Sequence, residues 1–255
     1  MFKWSWLSVV LIWASLAQEA QGSQEGEGEP ASLTVATDVW PPFRILKADG
    51  RFEGLDVDIL AALARHLDIP IKVERFPWGR ALQRMQTGQV DLMIGLAKTP
   101  ERTAFIDYLQ PAYYQCRPAF YAEPLLAAQI RRYGDLAHHE VGYVLKSSYF
   151  SPFDEDKSLN KHGVPTEEQL LGMVSRGHLP LMIGTDCQVD YALSLANPAG
   201  LIKTRYRPDK PVTLYLGMSK HSKAQPLKER IQAALAELVA SGELAQLASH
   251  YKPGE

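Results

Sequence analysis

The sequence predicts an α/β protein built as two lobes of similar design. Short apolar runs alternate with stretches whose apolar residues recur every three or four positions, the pattern of strands alternating with helices over a sheet. The string Gly88-Gln-Val-Asp-Leu-Met-Ile-Gly95 returns as Gly177-His-Leu-Pro-Leu-Met-Ile-Gly184, its glycines and its Leu-Met-Ile-Gly in the same register. A chain of 255 residues suits one large domain or two small ones.

The first residues are expected to be removed. Lys3 is a short positive n-region, Trp4 to Leu16 is apolar but for three serines, and Ser15-Leu16-Ala17 places small residues where a signal peptidase reads. At 1.5 Å per residue this run falls well short of a ~30 Å hydrocarbon core. Residues 1–17 are therefore read as a signal peptide and 18–32, rich in Gln, Glu, Gly, Ser and Pro, as a flexible leader. Cleavage takes one of the 27 basic residues and none of the 29 acidic ones, leaving the mature charge one unit below the −2 of the full chain. That charge excludes a global basic field for nucleic acid. The first cysteine is Cys116, so none near the cleavage site carries a lipid, and a soluble periplasmic protein is expected. Cys116 and Cys187 either bridge, as export permits, or remain two buried thiols.

Leu33–Asp38 reads as a buried strand, broken by Trp40-Pro-Pro-Phe43. Leu55, Ile59, Leu63 and Leu67 share one helix face. Ile71–Phe76 is a strand, Trp78–Thr87 a helix stopped by Gly88, and Val90–Leu96 a near-continuous apolar run of the kind found in parallel strands buried on both faces. In the second half Thr166-Glu-Glu-Gln169 is a capping box, its helix ends at Gly177, and Leu179–Ile183 is the following strand. Ser222-Lys-Ala-Gln225 reads as another capping box, before a helix carrying Leu227, Ile231, Leu235 and Leu238.

Thr99-Pro-Glu-Arg102 departs from these rules. Thr suits an N-cap and Pro the first helical position, but Arg102 in the first turn opposes the helix dipole. A rule-breaking cation at the C-terminal end of a strand, where α/β sheets bind ligands, points to an anion receptor. The alternative is a surface Arg, or a pair with Asp107. The seven His residues are scattered and His138-His139 are adjacent, which is not metal-ligand spacing; no phosphate loop, nucleophile elbow or paired-cysteine zinc pattern occurs.

From Leu33 to Tyr251 the sequence resembles the family 3 extracellular solute-binding proteins, the polar amino acid type of ABC importer. The resemblance rests on Val35-Ala-Thr-Asp38 with Pro42-Phe43, Gly54-Leu-Asp-Val-Asp58-Ile-Leu, Trp78 followed by Gly88-Gln-Val-Asp91, and Thr99-Pro-Glu-Arg102 with Pro111-Ala-Tyr113. Asp135-Leu136, Val141-Gly142, Ser147-Ser148, Gly217 with Lys220, Ser241-Gly-Glu-Leu244 and Tyr251 complete it. It implies a type II periplasmic binding protein fold: lobe 1 over 33–116 and 213–255, lobe 2 over 117–212, hinge strands near 114–119 and 211–214, and a ligand cleft between.

It implies further that Arg102 binds an α-carboxylate, that Asp38 and Trp40 meet the amine and side chain, and that Trp78 is a cleft wall. Ser147 and Ser148 match a hydroxyl pair opening a helix in lobe 2. Ala97 stands where the family often has a supporting hydroxyl. Thr185 takes the place of the ammonium-binding acid, and Asp186 falls one residue late.

The expected role is therefore capture of a small carboxylate-bearing ligand without turnover, by a monomer that holds no cofactor or metal and docks on an inner-membrane ABC permease. Two alternatives stay open: a periplasmic dehydratase on the same scaffold with Asp38 or Asp186 as proton donor, and a ligand sensor module. Intact mass of protein from a periplasmic extract is expected to place the mature N-terminus near Gln18; a retained Met1 or a lipid adduct would contradict it.

Overall fold

In the computed structural model, which describes Met1 and residues 32–251, the chain first lays down β1 (Leu33–Thr37), β2 (Ile45–Leu46), β3 (Phe52–Glu53), α1 (Leu55–Leu67), β4 (Ile71–Arg75), α2 (Trp78–Gln86), β5 (Leu92–Ala97), α3 (Pro100–Thr103), β6 (Ile106–Tyr108) and β7 (Tyr114–Cys116). The second lobe comes next, with β8 (Pro118–Ala122), α4 (Pro124–Gln129), β9 (Val141–Val144), β10 (Lys161–Val164), α5 (Glu167–Ser175), β11 (Leu181–Thr185), α6 (Asp186–Leu195) and β12 (Ile202–Lys203). The chain then returns through β13 (Val212–Ser219), α7 (Lys228–Ala240) and α8 (Glu243–Ser249). Apart from Met1 and Ser32, the expected signal peptide and leader lie outside the described residues.

Two sheets form, one per lobe. The first runs β4-β1-β5-β13-β6 with β7 also alongside β13, and the second runs β10-β9-β11-β8-β12. The repeated string is a repeated strand: β5 pairs parallel with β1 and antiparallel with β13, while β11 pairs parallel with β9 and antiparallel with β8. The Val90–Leu96 run thus lies in a mixed sheet rather than the parallel one expected. It is apolar throughout because Leu92, Ile94 and the α1 side of the sheet form one core while Met93, Leu96 and the α2 side form another.

The helix faces follow their periodicity. Leu55, Ile59, Leu63 and Leu67 are buried with Leu227, Ile231, Leu235 and Leu238 in one cluster. The expected capping box at Ser222–Gln225 is absent. The Gln225 amide reaches Ser219 O at 2.7 Å, Ser222 bonds Asp91, and a short 3₁₀ turn over Gln225–Leu227 precedes α7. Gln225 is spent on the end of β13, and Ser222 Oγ, besides donating to Asp91, accepts from Ala224 N at 2.9 Å.

The chain crosses between lobes from β7 to β8 and again from β12 to β13, and the crossings are tied together. Tyr114, Gln115 and Cys116 lie opposite Leu214, Thr213 and Val212. Of the two states open to the cysteines the structure shows the bridge: Cys116 and Cys187 are disulfide-bonded with Cα atoms 5.6 Å apart, fastening the first turn of α6 in lobe 2 to β7. A loop of 71 residues closed this way removes about 4 kcal/mol of unfolded-state entropy. Reduction is expected to lower the melting temperature by roughly 5–15 °C, read by thermal unfolding with and without reductant.

Candidate functional site

Beyond β1 the chain doubles back, with Trp40 and Arg44 exchanging backbone hydrogen bonds of 2.9 and 3.0 Å. Arg44 turns inward beneath this loop. Its Nε donates to Asp38 O at 2.9 Å and its guanidinium pairs with the fully buried Asp56, which also accepts from the Tyr113 hydroxyl at 2.7 Å. Gly95 allows the approach: a Cβ there would stand 2.5 Å from Arg44 Nη1. The pinned loop presents Asp38 and Trp40, the latter stacked on Phe43 at 4.6 Å. Asp38 Oδ1 accepts from Val39 N at 2.8 Å and lies 3.7 Å from Arg75 Nε, yet burial still pushes its carboxyl above the usual range.

Arg102 follows β5 on α3, where Thr99 caps Arg102 N at 3.2 Å and Pro100 takes the first position, as the sequence implied. The helix has only four residues, so the dipole set against Arg102 amounts to one turn, and Arg102 lies in that turn's last part. Burial is the larger influence and draws the guanidinium below its ordinary value. Asp107 does not pair with it; Lys228 approaches Asp107 instead, at 3.6 Å. Arg102 is 5% exposed and bridges the lobes, Nη1 donating to Ala97 O at 2.8 Å and Nη2 to Lys146 O at 2.6 Å. The carbonyl in lobe 2 is presented by a residue in the left-handed region, Lys146 at φ 65°, a conformation that costs a non-glycine residue energy and marks a constrained place. Two guanidinium N–H donors are thus used on backbone carbonyls, and the Tyr108 hydroxyl, which donates to the same Ala97 O at 3.0 Å, stands beside the group.

Between the lobes lies a chamber of about 70 Å³. Lobe 1 lines it with Asp38, Trp40, Trp78, Ala97 and Arg102; lobe 2 with Ser147, Ser148, Tyr149, Glu167 and Thr185; Val212 and Leu214 of β13 close it at the crossing. A wider cleft of about 1240 Å³ adjoins it across Ala97, Arg102 and Ser147–Tyr149. Three lining residues carry buried polar atoms that meet no partner among the described residues: Trp78 Nε1, Thr185 Oγ1 and Glu167 Oε2.

Eight of the nine residues singled out in the sequence meet here; Asp186 does not. Its Oδ1 accepts from Arg117 N at 2.8 Å and Cys187 N at 2.7 Å, and it faces a separate cavity beside the disulfide. It is a crossing residue, because the first turn of α6 rotates it away from Thr185. Asp186 lies beside Cys116 and Cys187, but both sulfurs are consumed in the bridge and leave no metal-binding set there among the described residues.

Ser147 and Ser148 open no helix. They come after a turn at Lys146, Ser148 Oγ donates to Asp154 at 2.8 Å, and Asp154 takes Tyr149 N at 3.0 Å, so side chains satisfy the backbone that a helix would have used. Glu167 was missed. Beside Thr166, which caps α5 through Gln169 N at 3.2 Å, it reads as an ordinary first-turn acid. In the structure burial, with Asp38 adding to it, pushes its carboxyl up to about 8. The only available signal was the vacancy at Thr185, which asked for an acid from elsewhere.

Two α/β lobes, joined by paired crossing strands with a chamber between them, define the architecture of a two-lobed binding protein. The match to the bacterial extracellular solute-binding proteins, family 3, runs over residues 33–254, and the chain belongs to that family. A probable amino-acid-binding protein, YxeM of Bacillus subtilis, is 24% identical over 98% of this chain and 95% of its own. Among solved structures, an ancestral arginine-binding protein bound to arginine superposes with a TM-score of 0.78 at 19% identity, covering 88% of this chain and 99% of that one. The substrate-binding protein AbpA of Streptococcus pneumoniae, bound to L-arginine, gives 0.75 at 24% identity, covering 87% and 94%. These likenesses show the fold.

Since Arg102 fastens Ala97 to Lys146, Arg102→Ala is expected to enlarge the unliganded radius of gyration in small-angle scattering. Its melting temperature should fall by only a few degrees, because both carbonyls are rehydrated as the lobes part. An unchanged radius would show that the bridge does not hold the lobes.

Proposed function

We propose that the chamber captures a small amino acid or kindred zwitterion, without chemical turnover, for import through a membrane permease from the periplasm. One observation carries it: a buried guanidinium shares the chamber between the lobes with buried donors and acceptors on both lobes that meet no partner among the described residues. A ligand bearing both an anion and hydrogen-bonding partners would satisfy them together. Asp38, Trp40, Trp78, Ala97, Ser147, Ser148 and Thr185 are the proposed contacts beside Arg102, while Asp186 is withdrawn.

Size narrows the class. At about 10–15 Å³ per water-sized group, a chamber of about 70 Å³ takes five to seven non-hydrogen atoms, the scale of glycine, alanine or serine. The arginine carried by the two structural neighbours has about twice as many and would have to extend into the adjoining outer cleft. The mechanism is hinge closure: an open cleft admits the ligand, Arg102 takes its carboxylate, and rotation about the paired crossings traps it.

A thermal-shift screen over amino acids and organic acids tests this. Glycine, L-alanine or L-serine should raise the melting temperature and L-arginine should not; a ligand at a hundredfold excess over its Kd adds about 2.7 kcal/mol. By calorimetric titration, Arg102→Ala should lose thirtyfold to several thousandfold in affinity, the roughly 2–5 kcal/mol of a truncated buried charge pair. Arg102→Lys should recover part, because an ammonium lacks the planar fork. Unchanged affinity in Arg102→Ala would overturn the assignment.

A further inference from the structure

Glu167 is the one chamber acid whose carboxylate oxygen is buried without a donor among the described residues. It opens α5, a helix of nine residues. The strands packed beneath α5 offer it no cation. β9 carries Tyr143, and β11 has no titratable side chain. On β10, Lys161 donates to Phe153 O at 2.9 Å and His162 sits 3.5 Å from Glu140. Glu168, next on the helix, is exposed. On its own lobe the Tyr149 hydroxyl accepts from Val144 N at 3.2 Å; across the chamber stand Asp38, an acid with Arg75 at 3.7 Å, Arg44, taken up by Asp56 and Asp38 O, and Arg102, bonded to two backbone carbonyls.

A second group points the same way. Thr185 holds the N-cap position of α6, where a threonine ordinarily accepts a hydrogen bond from the first turn, yet its side chain caps nothing. It is 7% exposed, and its hydroxyl is buried at the chamber wall without a partner. Asp38 has Arg75 at 3.7 Å and Val39 N at 2.8 Å, but the Glu167 oxygen and the Thr185 hydroxyl, buried at the second-lobe wall without partners among the described residues, are tolerable only if the acid stays protonated or a cation enters.

We propose that Glu167, together with Asp38 and the Thr185 hydroxyl, is the receptor for the ligand's protonated amine, supplying from α5 the second-lobe acid that position 185 lacks. The ligand class is thereby a primary ammonium whose anionic end reaches Arg102, and the inference rests on the small-amino-acid reading above. A proton moves with the ligand. Glu167, pushed up to about 8, is mostly protonated at pH 7 when the chamber is empty. An ammonium beside it favours the carboxylate, so its O–H breaks and the proton leaves to solvent. Linkage then makes affinity rise up to about tenfold per pH unit as pH climbs toward 8, and flatten above. The unliganded fold behaves oppositely: an acid raised on folding contributes stability below its unfolded pKa, and that contribution is lost as pH rises through about 8.

The test titrates wild type and Glu167→Gln with glycine, L-alanine and L-serine, and with acetate, propionate and glycolate as amine-free partners. Calorimetry in buffers of different ionisation enthalpy counts protons. Wild type should release about 0.9 proton per amino acid at pH 7, the protonated share of a group at about 8. Glu167→Gln should release close to none, bind the amino acids at least tenfold more weakly, and bind the amine-free acids as wild type does. Its unliganded melting temperature at pH 8 should match or exceed wild type. If Glu167→Gln keeps both affinity and proton release, the Glu167 assignment falls while the small-amino-acid reading stands. If none of the three amino acids binds wild type, both fall. Should the variant not fold, wild type alone decides: proton release near zero overturns the assignment.

Discussion

The buried pair of Arg44 and Asp56 is the constraint on which the first half of the site depends. Its charges are sealed from solvent, with side chains 4% and 0% exposed. Removing either partner would strand the other, at about 3–5 kcal/mol. Both ends are structural: Asp56 sits in the first turn of α1 and is also held by Tyr113, while Arg44 grips the backbone of Asp38. Glycine is required twice around it. At Gly54 a Cβ would fall 2.4 Å from Phe43 O, and at Gly95 it would collide with the Arg44 guanidinium. Loop, helix and central strand are thus locked around one cation, and Asp38 and Trp40 are set before any ligand arrives.

The second organising feature is repetition. β5 and β11 occupy the same place in their sheets, and the C-terminal end of each brings a polar side chain to the cleft: Arg102 from one, Thr185 from the other. This is the behaviour expected of strand ends in open α/β sheets. The two deliveries are not equivalent. β5 leads into a capped single turn whose cation spans the gap, and β11 into a helix whose first residue is diverted to Arg117.

Much of this was legible in the sequence. Strand runs, helix faces and the repeated string gave the architecture, because burial imposes period and composition directly. Arg102 was legible because it sits against a local rule. The Ser147–Ser148 segment was misjudged because its backbone is satisfied by Asp154 from farther along the chain. Asp186 was misjudged because counting residues does not give rotation about a helix axis. Arg44 went unmarked, since an arginine beside a Phe in a loop has no pattern of its own until Asp56 is brought beneath it. Glu167 was hidden by a good local explanation: the first turn of a capped helix is where acids belong for stability alone.

The chamber's two halves come from different lobes. Asp38, Trp40, Trp78 and Arg102 stand on the first lobe, whereas Tyr149, Glu167 and Thr185 stand on the second. Under the proposed hinge closure, a molecule meeting the open form would first be held by half a site, so its rate of capture would be set by what the first lobe recognises. How long it stays is set by whether the second lobe finds all its groups satisfied on arrival. Two solutes that dock equally fast can then differ widely in residence time, and selectivity is exercised at departure.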